Sequence, residues 1–458
     1  MIAALKPYAE YKATEKDWFG VVPKHWGVLP NRALFFEVKD RNHPDEEMLS
    51  VTIKRGVVRQ KTLLADSSKK DSSNLNKSAY KLVQPADIAY NKMRTWQGAI
   101  GVSEFRGIIS PAYIVMRLRN KENTPRYFHH LYRTPQFAKE AERWSYGITS
   151  DMWSLRPEHF KVIYTPQPSR EEQDAIVRFL NWANIRLEKA IRAKRKVIAL
   201  LNEQKQAIIH RAVTRGLDSS VPLKPSGIPW LGDIPKHWNT PLNQRIFKEN
   251  IRPHNGKPET QLSLSQRDGL IATKDMQERS LQTASYDNWK VTVPGDLVLN
   301  RFKAHLGVFF ATTLRGIVSF HYGVFSPLRK LHTKYFELLF HSYPYRAIYA
   351  GYSNGMTVGL QNLSNQNFYN VRSIVPTLSE QIAIVEYADR ETQMLMTTIS
   401  CIIREIEHLN EYRTRLVADV VTGKLDVREV VAKLPDEEMP AEVDVSSEDE
   451  ISDEEIAV

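Results

Sequence analysis

The chain has 458 residues, of which 42% are hydrophobic and 25% charged, so its length predicts about three domains with apolar cores. No apolar run approaches the ~18 residues of a membrane span, and the N-terminal residues lack the apolar core of a signal peptide. No membrane span is therefore expected, and the presence of a single cysteine fits the reducing cytoplasm. The single cysteine, Cys401, excludes an internal disulfide, and we expect it to be a buried apolar side chain.

The net charge of +10 is unevenly distributed along the chain. Residues 434–458 contain eleven acidic side chains and no lysine or arginine, which predicts a disordered tail. The rest of the chain has 63 basic side chains against 42 acidic ones, a net charge of +21. A surplus of this size indicates a polyanionic partner, with nucleic acid as the first candidate.

The first 168 residues predict a globular α+β domain. Short strand-like runs at 48–51, 87–90 and 112–118 alternate with turn residues, and residues 127–141 read as a helix. Residues 170–214 then form a long run without a proline, with apolar residues three and four apart, which predicts an amphipathic helix of roughly 60 Å. Its predicted apolar stripe consists of Leu180, Ala183, Leu187, Ala190, Val197, Leu201 and Ile208.

The chain then repeats this plan once, at a period near 210 residues. The matching segments are 18–26 with 230–238, 87–94 with 296–303, 106–110 with 315–319, and 146–149 with 354–357. A second helical run follows at 380–422, with an apolar stripe formed by Ala388, Leu395, Ile402, Leu409 and Leu416. A narrow stripe on a rod this long needs a partner rod, and each run supplies one to the other.

Residues that recur in both copies are expected to maintain the framework. The entry segments WFGVVPKHW and WLGDIPKHW supply a set that we assign to the core rather than to base stacking, namely Trp18, Trp26, Trp230 and Trp238. His25 and His237, in the same segments, are expected to be hydrogen-bonded structural residues. The sequence between the matched segments diverges, so the two copies share an architecture but not a surface.

These features divide the chain into five predicted segments. They are a first recognition domain at 1–168, a helical region at 169–218, a second recognition domain at 219–376, a second helical region at 377–428, and an acidic tail at 429–458. The proline-rich segment 221–229 marks the start of the second copy.

Two divergent domains, two matched helices and the duplicated entry segment together resemble the DNA-specificity subunit of type I restriction-modification systems, from about Trp18 to Asp426. The acidic tail departs from that pattern. The resemblance implies that each domain reads one half of a split DNA site. It also implies that the helices form an antiparallel coiled coil, which sets the spacing and docks two methyltransferase subunits.

In that family the specificity subunit has no catalytic activity or cofactor of its own. The resemblance therefore implies S-adenosylmethionine in the methyltransferase partners, and ATP and Mg²⁺ in partner subunits, with ATP used for translocation by the restriction subunit.

Candidate DNA contacts in the first copy are polar side chains in predicted turns. They are Lys54, Arg55, Arg59 and Lys61 in one turn region, Asn91, Lys92 and Arg94 after a predicted strand, and Thr149. Arginine and lysine can bond guanine edges or phosphates, and asparagine can pair with adenine. The alternative is a set of solvated cations around turns, and Asn91 favours it because an asparagine recurs in the second copy.

The second copy offers the corresponding set, which is Arg267, Lys274, Asn300, Arg301, Lys303 and Thr357. The residues on either side of the glycine in the two cation-bearing turns, at 54–61 and 264–274, differ between the copies. Different half-sites require such a difference.

A basic run on the first helix, Arg192, Lys194, Arg195 and Lys196, is a candidate for docking of the methyltransferase subunit. A solvated helix face is the plainer interpretation.

Catalytic motifs are not evident in the sequence. No phosphate-binding Gly-x-x-x-x-Gly-Lys-Ser/Thr loop and no metal-ligand spacing is present, and the run Ser110-Pro111-Ala112-Tyr113 lacks the polar first residue and second proline of amino-methyltransferases. The alternative function is a self-contained DNA-modifying enzyme, either a methyltransferase or a nuclease using scattered carboxylates such as Asp87 and Glu104. A coiled-coil scaffold that binds only protein is the third candidate, and the charge argues against it.

Overall fold

A computed structural model of the chain describes residues 5–65, 77–147, 153–228, 231–255, 258–265, 269–276, 286, 288–353 and 361–435. Residues 5–168 are called the first head below, and residues 219–376 the second head. The first head and its following helix contain β1 (Tyr11–Ala13), β2 (Val21–Pro23), β3 (Gly27–Pro30), α1 (Asn31–Leu34), β4 (Phe35–Val38), β5 (Leu49–Thr52), β6 (Gly56–Arg59), α2 (Gln60–Ala65), β7 (Lys81–Val83), β8 (Ile88–Asn91), β9 (Ile100–Val102), β10 (Gly107–Ile109), β11 (Tyr113–Leu118), α3 (Pro125–Tyr132), α4 (Pro135–Arg143), α5 (Pro157–Val162), β12 (Tyr164–Gln167) and α6 (Arg170–Arg215).

The second copy repeats this order almost element by element. It contains β13 (Leu223–Pro225), β14 (Asp233–Pro235), β15 (Phe247–Glu249), β16 (Leu262–Ser265), β17 (Gly269–Ala272), β18 (Lys290–Thr292), β19 (Leu297–Asn300), β20 (Phe309–Ala311), β21 (Gly316–Val318), β22 (Tyr322–Pro327), α7 (Thr333–His341), α8 (Tyr343–Tyr352), α9 (Asn365–Asn370), α10 (Leu378–Val421) and α11 (Arg428–Val431). Short 3-10 turns lie at Thr95–Gln97, Asn243–Arg245, Thr273–Asp275 and Arg301–Leu306.

Each head is built on a four-stranded antiparallel sheet with the same strand order. The order is β4-β11-β8-β9 in the first head and β15-β22-β19-β20 in the second. Asn91 pairs with Tyr113 in one sheet and Asn300 with Tyr322 in the other, so both sheets also have the same register. A separate hairpin lies beside each sheet, β5–β6 in the first head and β16–β17 in the second. The predicted α+β class and internal duplication are confirmed.

The predicted elements of the first head agree with the structure to within a residue or two, with one exception. The single helix expected over 127–141 is two helices, because Pro135 follows α3 and cannot continue its hydrogen-bond ladder. Thr134 caps the second of these helices, since its hydroxyl accepts a hydrogen bond from the backbone N–H of Phe137 at 3.3 Å.

Both long helices are confirmed, and α6 alone has 46 residues, a length of about 69 Å. The predicted stripe on α6 was wrong at Val197, whose side chain is 44% exposed, while the adjacent Ile198 is buried. A strict seven-residue repeat drifts from the 3.6-residue helical turn, and the buried face follows the helical turn. Cys401 is exposed, so its predicted burial was also wrong, because the packed face of α10 contains Ile399 instead.

The chain forms two compact units, and each contains one head with segments of both long helices. The first unit is Met1–Arg192 with Glu405–Met439, and the second is Ala193–Arg404 with Pro440–Val458. The first head therefore packs with the end of α10, whereas the second head packs with the end of α6. In the described part of the chain, no helix is both long and apolar enough to cross a lipid bilayer.

In the first unit, Ile176 and Leu180 of α6 share a core with Leu416 and Val420 of α10. Glu188 accepts a hydrogen bond from Arg413 at 3.0 Å. Closer to the start of α6, Glu172 lies 4.0 Å from Arg428. The residue numbers rise along one segment as they fall along the other, so the two segments run antiparallel.

In the second unit, Ala212 and Val213 of α6 share a core with Ile384 and Ala388 of α10. The ammonium of Lys205 lies 3.8 Å from the sulfur of Met396, and burial lowers the pKa of Lys205. The numbers again run in opposite directions.

The chain after α10 continues to pack on the first unit. Val427 and Val431 are buried in its core, and Arg178 donates hydrogen bonds to the carbonyls of Leu434 and Pro435. Helix α11 thus lies at the start of the segment predicted as an acidic tail. Residues 436–458 are outside the described part of the chain.

Candidate nucleic-acid interface

In the first head, the structure brings together two of the predicted cation-bearing turns. Lys54 and Arg55 lie in the turn of the β5–β6 hairpin, and Lys92 and Arg94 follow β8. Arg133 joins the two turns. Its guanidinium donates to the carbonyls of Ile53 and Lys54 in the first turn and to those of Gly98 and Ile100 beside the second.

Arg133 can join these turns because its guanidinium carries five donors in a rigid plane. Burial lowers its pKa to about 10, which leaves it charged at neutral pH. Gly56 begins β6 with a φ of +74°, and a Cβ atom there would lie 3.2 Å from the Arg133 guanidinium. Only glycine suits this position without strain, because it needs a left-handed backbone and a close approach.

The cations on the two turns that Arg133 joins differ in exposure. Lys54 and Arg94 are exposed, while Arg55 and Lys92 are half-buried, and the guanidinium of Arg94 donates a long 3.4 Å hydrogen bond to Gln97. The segment after α4 also reaches this place, because Leu155 donates its backbone N–H to the carbonyl of Lys92. Thr149 lies outside the described residues.

The other two predicted cations of this region, Arg59 and Lys61, lie apart from the turns that Arg133 joins. Arg59 is the last residue of β6 and Lys61 lies in α2, and both form ion pairs with Glu47, at 3.5 and 2.7 Å. Arg59 also lies over the ring of Phe105. A role for these two residues in DNA contact stays a prediction.

Asn91 and Asn300 form the same side-chain hydrogen bond in the two heads. The side-chain oxygen of Asn91 accepts the backbone N–H of Met93 at 3.0 Å, and that of Asn300 accepts the N–H of Phe302 at 3.1 Å. Such a side-chain bond to a backbone group two residues ahead forms a turn. The geometry supports the structural interpretation of the recurrent asparagine.

In the second head, the two cations that follow β19 differ in ion pairing and in exposure. Arg301 donates to Glu249 at 2.8 Å and is largely buried, whereas Lys303 is exposed. Lys274 is also exposed and lies just past β17, in the place that Lys61 takes after β6. Arg267 and Thr357 lie outside the described residues.

A buried lysine that supports each sheet was missed by the sequence analysis. Lys81 on β7 donates to the carbonyl of Tyr113, and Lys290 on β18 donates to that of Tyr322 at 2.9 Å. Burial lowers the pKa of Lys81. A lysine repeated 209 residues later in the duplicated frame was the available signal.

The two carboxylates considered for a nuclease site are both ion-paired. Asp87 accepts two hydrogen bonds from Arg117, at 2.7 and 2.8 Å, and Glu104 pairs with Arg126. Among the described residues, no group of three or more His, Cys, Asp or Glu side chains could hold a metal ion.

The duplicated entry segment fastens each head to the start of a long helix. His25 contacts Glu172 at 2.9 Å, and His237 contacts Glu380 at 2.7 Å. Burial raises the pKa of Glu380, but hydrogen bonds from Trp238, Thr377 and His237 outweigh it and hold the pKa at about 2. The expected hydrogen-bonded histidines are confirmed.

Three of the four tryptophans of the entry segments belong to the core, as predicted. Trp18, Trp26 and Trp238 are buried, and Trp230 lies outside the described residues. A Cβ atom at Gly423 would overlap Pro23 and touch the ring of Trp26, so the end of α10 fits closely against this segment.

The four basic residues of the predicted docking run lie on α6 and differ in exposure. Arg192 is exposed and lies 3.9 Å from Glu188. Lys194 and Arg195 are half-buried, and Lys196 is exposed. Docking at this run stays a prediction.

Comparison with solved structures places this architecture among known folds. A chain from a structure described as the basis of complex assembly and conformational transition of the type I R-M system matches with a TM-score of 0.57 and 14% identity, covering 88% of this chain and 99% of that one. The HsdS subunit from Thermoanaerobacter tengcongensis matches with a TM-score of 0.42 and 14% identity over 88% and 98% of the two chains. The type I restriction-modification S subunit from M. genitalium matches with a TM-score of 0.32 and 11% identity over 86% and 96%.

No family model and no curated protein sequence matches the chain. At 14% identity, the first match establishes the fold. Over 88% of its length, this chain has the fold of a chain from a structure of the type I R-M system.

Proposed function

We propose that this chain is the non-catalytic DNA-recognition subunit of a type I restriction-modification complex. The observation that carries the proposal is that the two heads have the same framework but different surface side chains. In addition, 88% of the chain shares its fold with a chain from a type I R-M system structure. Each head would read one half of an asymmetric, two-part DNA site.

The heads support this division of labour residue by residue. The sheet order, the turn asparagine and the buried lysine are the same in both. The side chains on the turns differ, since Met93 and Arg94 in one head correspond to Phe302 and Lys303 in the other. A common framework with different turn side chains suits two readers of different sequences, because base edges are distinguished by the side chains that reach them.

The site residues of this proposal are the cations nearest the turns that the two heads share. In the first head they are Lys54, Arg55, Lys92 and Arg94, held by Arg133, and in the second Lys303 is the clearest. Arg59, Lys61, Lys274, Arg301 and the asparagines are weaker members, because they are ion-paired, remote from the turns or used for local structure.

The long helices would fix the spacing of the two half-sites and dock the partners. The proposed partners are two methyltransferase subunits, which would bring S-adenosylmethionine, and restriction subunits that use ATP and Mg²⁺. The run from Arg192 to Lys196 is the proposed docking place on α6.

The test is reconstitution of the complex and mapping of its methylation. The purified chain alone should neither methylate nor cut DNA. With its methyltransferase partner and S-adenosylmethionine it should direct methylation to a single two-part sequence. Methyl transfer by the homogeneous chain alone would contradict the non-catalytic assignment, and methylation of a contiguous palindrome would contradict the two-reader assignment.

A further inference from the structure

An exposed aromatic cluster lies on the second head. Phe302 is 42% exposed and Phe320 is 49% exposed, and both rings contact the exposed His321. The ring centroids of Phe320 and His321 are 3.8 Å apart, and those of Phe302 and His321 are 5.5 Å apart. Single exposed apolar residues are ordinary on a protein surface, but contiguous ones mark interaction sites.

The pairing of the sheet explains why these residues meet. Asn300, the last residue of β19, pairs with Tyr322, the first residue of β22. The turn after β19, which carries Phe302, therefore lies beside the turn before β22, which carries Phe320 and His321. Exposed Lys303 is the next residue after Phe302, so the cluster has a cation beside it.

The first head has no such cluster at the equivalent place. In its matching register, Met93, Pro111 and Ala112 occupy the positions of Phe302, Phe320 and His321. The framework around these positions is retained, so the aromatic side chains are an addition specific to the second head. Differences at equivalent turns are what two different half-sites require.

We propose that Phe302, Phe320 and His321 contact the bases of the second half-site in duplex DNA, while Lys303 contacts a neighbouring phosphate. The inference rests on the proposed function and adds the surface that reads one half of the site. Phenylalanine contacts thymine methyl groups or inserts between base steps, and lysine neutralises phosphate. Lys303 makes the surface complementary to a polyanion, which favours DNA over an apolar protein surface.

The experiment uses the full chain in complex with its methyltransferase partner and duplexes selected from a random library. The variants are Phe302→Ala, Phe320→Ala and the double variant, and the control is Leu328→Ala. Leu328 is 54% exposed and follows the opposite end of β22, so its removal costs a similar apolar surface elsewhere. The altered side chains are well exposed, so folding should be retained, and circular dichroism checks it.

We expect the double variant to bind the selected duplex about tenfold or more weakly, with the sequence preference lost only in the second half-site. The salt dependence of binding should not change, because no charge is removed, whereas Lys303→Ala should lower the salt slope by about one.

Wild-type selection of a two-part site together with unchanged affinity and preference in the double variant would overturn this inference alone. Loss of methyltransferase assembly with intact DNA preference would also overturn it, because the cluster would then be a protein contact. Failure of the wild-type complex to select any two-part sequence would overturn the proposed function as well.

Discussion

The hydroxyl of Tyr335 donates a hydrogen bond of 3.1 Å to the backbone carbonyl of Val213, near the end of α6. Tyr127, its equivalent in the first head, donates one of the same length to Val421 at the end of α10. Each head is thus fastened to the end of the long helix that follows the other head in the sequence.

We expect Tyr335→Phe to lower the free energy of unfolding by about 1–3 kcal/mol, because the substitution leaves the buried carbonyl of Val213 without its partner. Chemical denaturation measures the change. Tyr343→Phe is the control, since Tyr343 is 79% exposed and should give no loss. Equal stability of the Tyr335 variant and wild type would show that this bond contributes nothing to folding.

The contact between Glu380 and the entry segment predicts a dependence of stability on pH. The pKa of Glu380 is about 2 in the folded chain, below its ordinary value of 4.5, because Trp238, Thr377 and His237 hydrogen-bond its charged form. Its contribution is therefore fully present above pH 4.5 and is lost as the pH falls towards 2. The melting temperature should fall more steeply in this range for the wild type than for Glu380→Gln. Parallel profiles would contradict the assignment.

Arg94→Ala should weaken DNA binding by the reconstituted complex without affecting folding, because the Arg94 side chain is exposed and its hydrogen bond to Gln97 is long, at 3.4 Å. A base contact would cost about 1–3 kcal/mol and relax the preference at one position. A phosphate contact would weaken all sequences equally and lower the salt slope by about one. The control is Lys139→Ala, an exposed cation on α4 of the same head. Identical behaviour of the two variants would remove Arg94 from the interface.

Arg133→Lys should make the two turns that Arg133 joins in the first head less rigid. One ammonium cannot reach the four carbonyls that the guanidinium serves, so the turns of Lys54 and Lys92 would lose their common support. We expect the preference for the first half-site to decline while the second is retained, and methylation mapping measures both. Arg143→Lys, an exposed arginine on α4, is the control. A simultaneous loss of both half-sites would indicate general unfolding instead.

The features that the sequence predicted correctly are those that depend on the spacing of residues along the chain. The duplication, the long helices and the strands at 88–91 and 113–118 follow from spacing, which the backbone obeys locally. The role of Arg133 could not be predicted, because its partners are backbone carbonyls 33 to 80 residues away, and carbonyls leave no mark in the sequence. The aromatic cluster was missed because Phe302 comes close to His321 only through the pairing of β19 with β22.

The buried aspartate of each sheet shows how these heads could be exchanged during evolution. Asp87 is neutralised by Arg117 on β11, but Asp296 is neutralised by Arg252, which follows β15, while Ser326 takes the place of Arg117. A recombinant joined inside a head could therefore inherit two arginines or none, and an uncompensated buried carboxylate is strongly destabilising. Viable recombinants should have their junctions outside the heads, so that a whole half-site specificity is inherited as one unit.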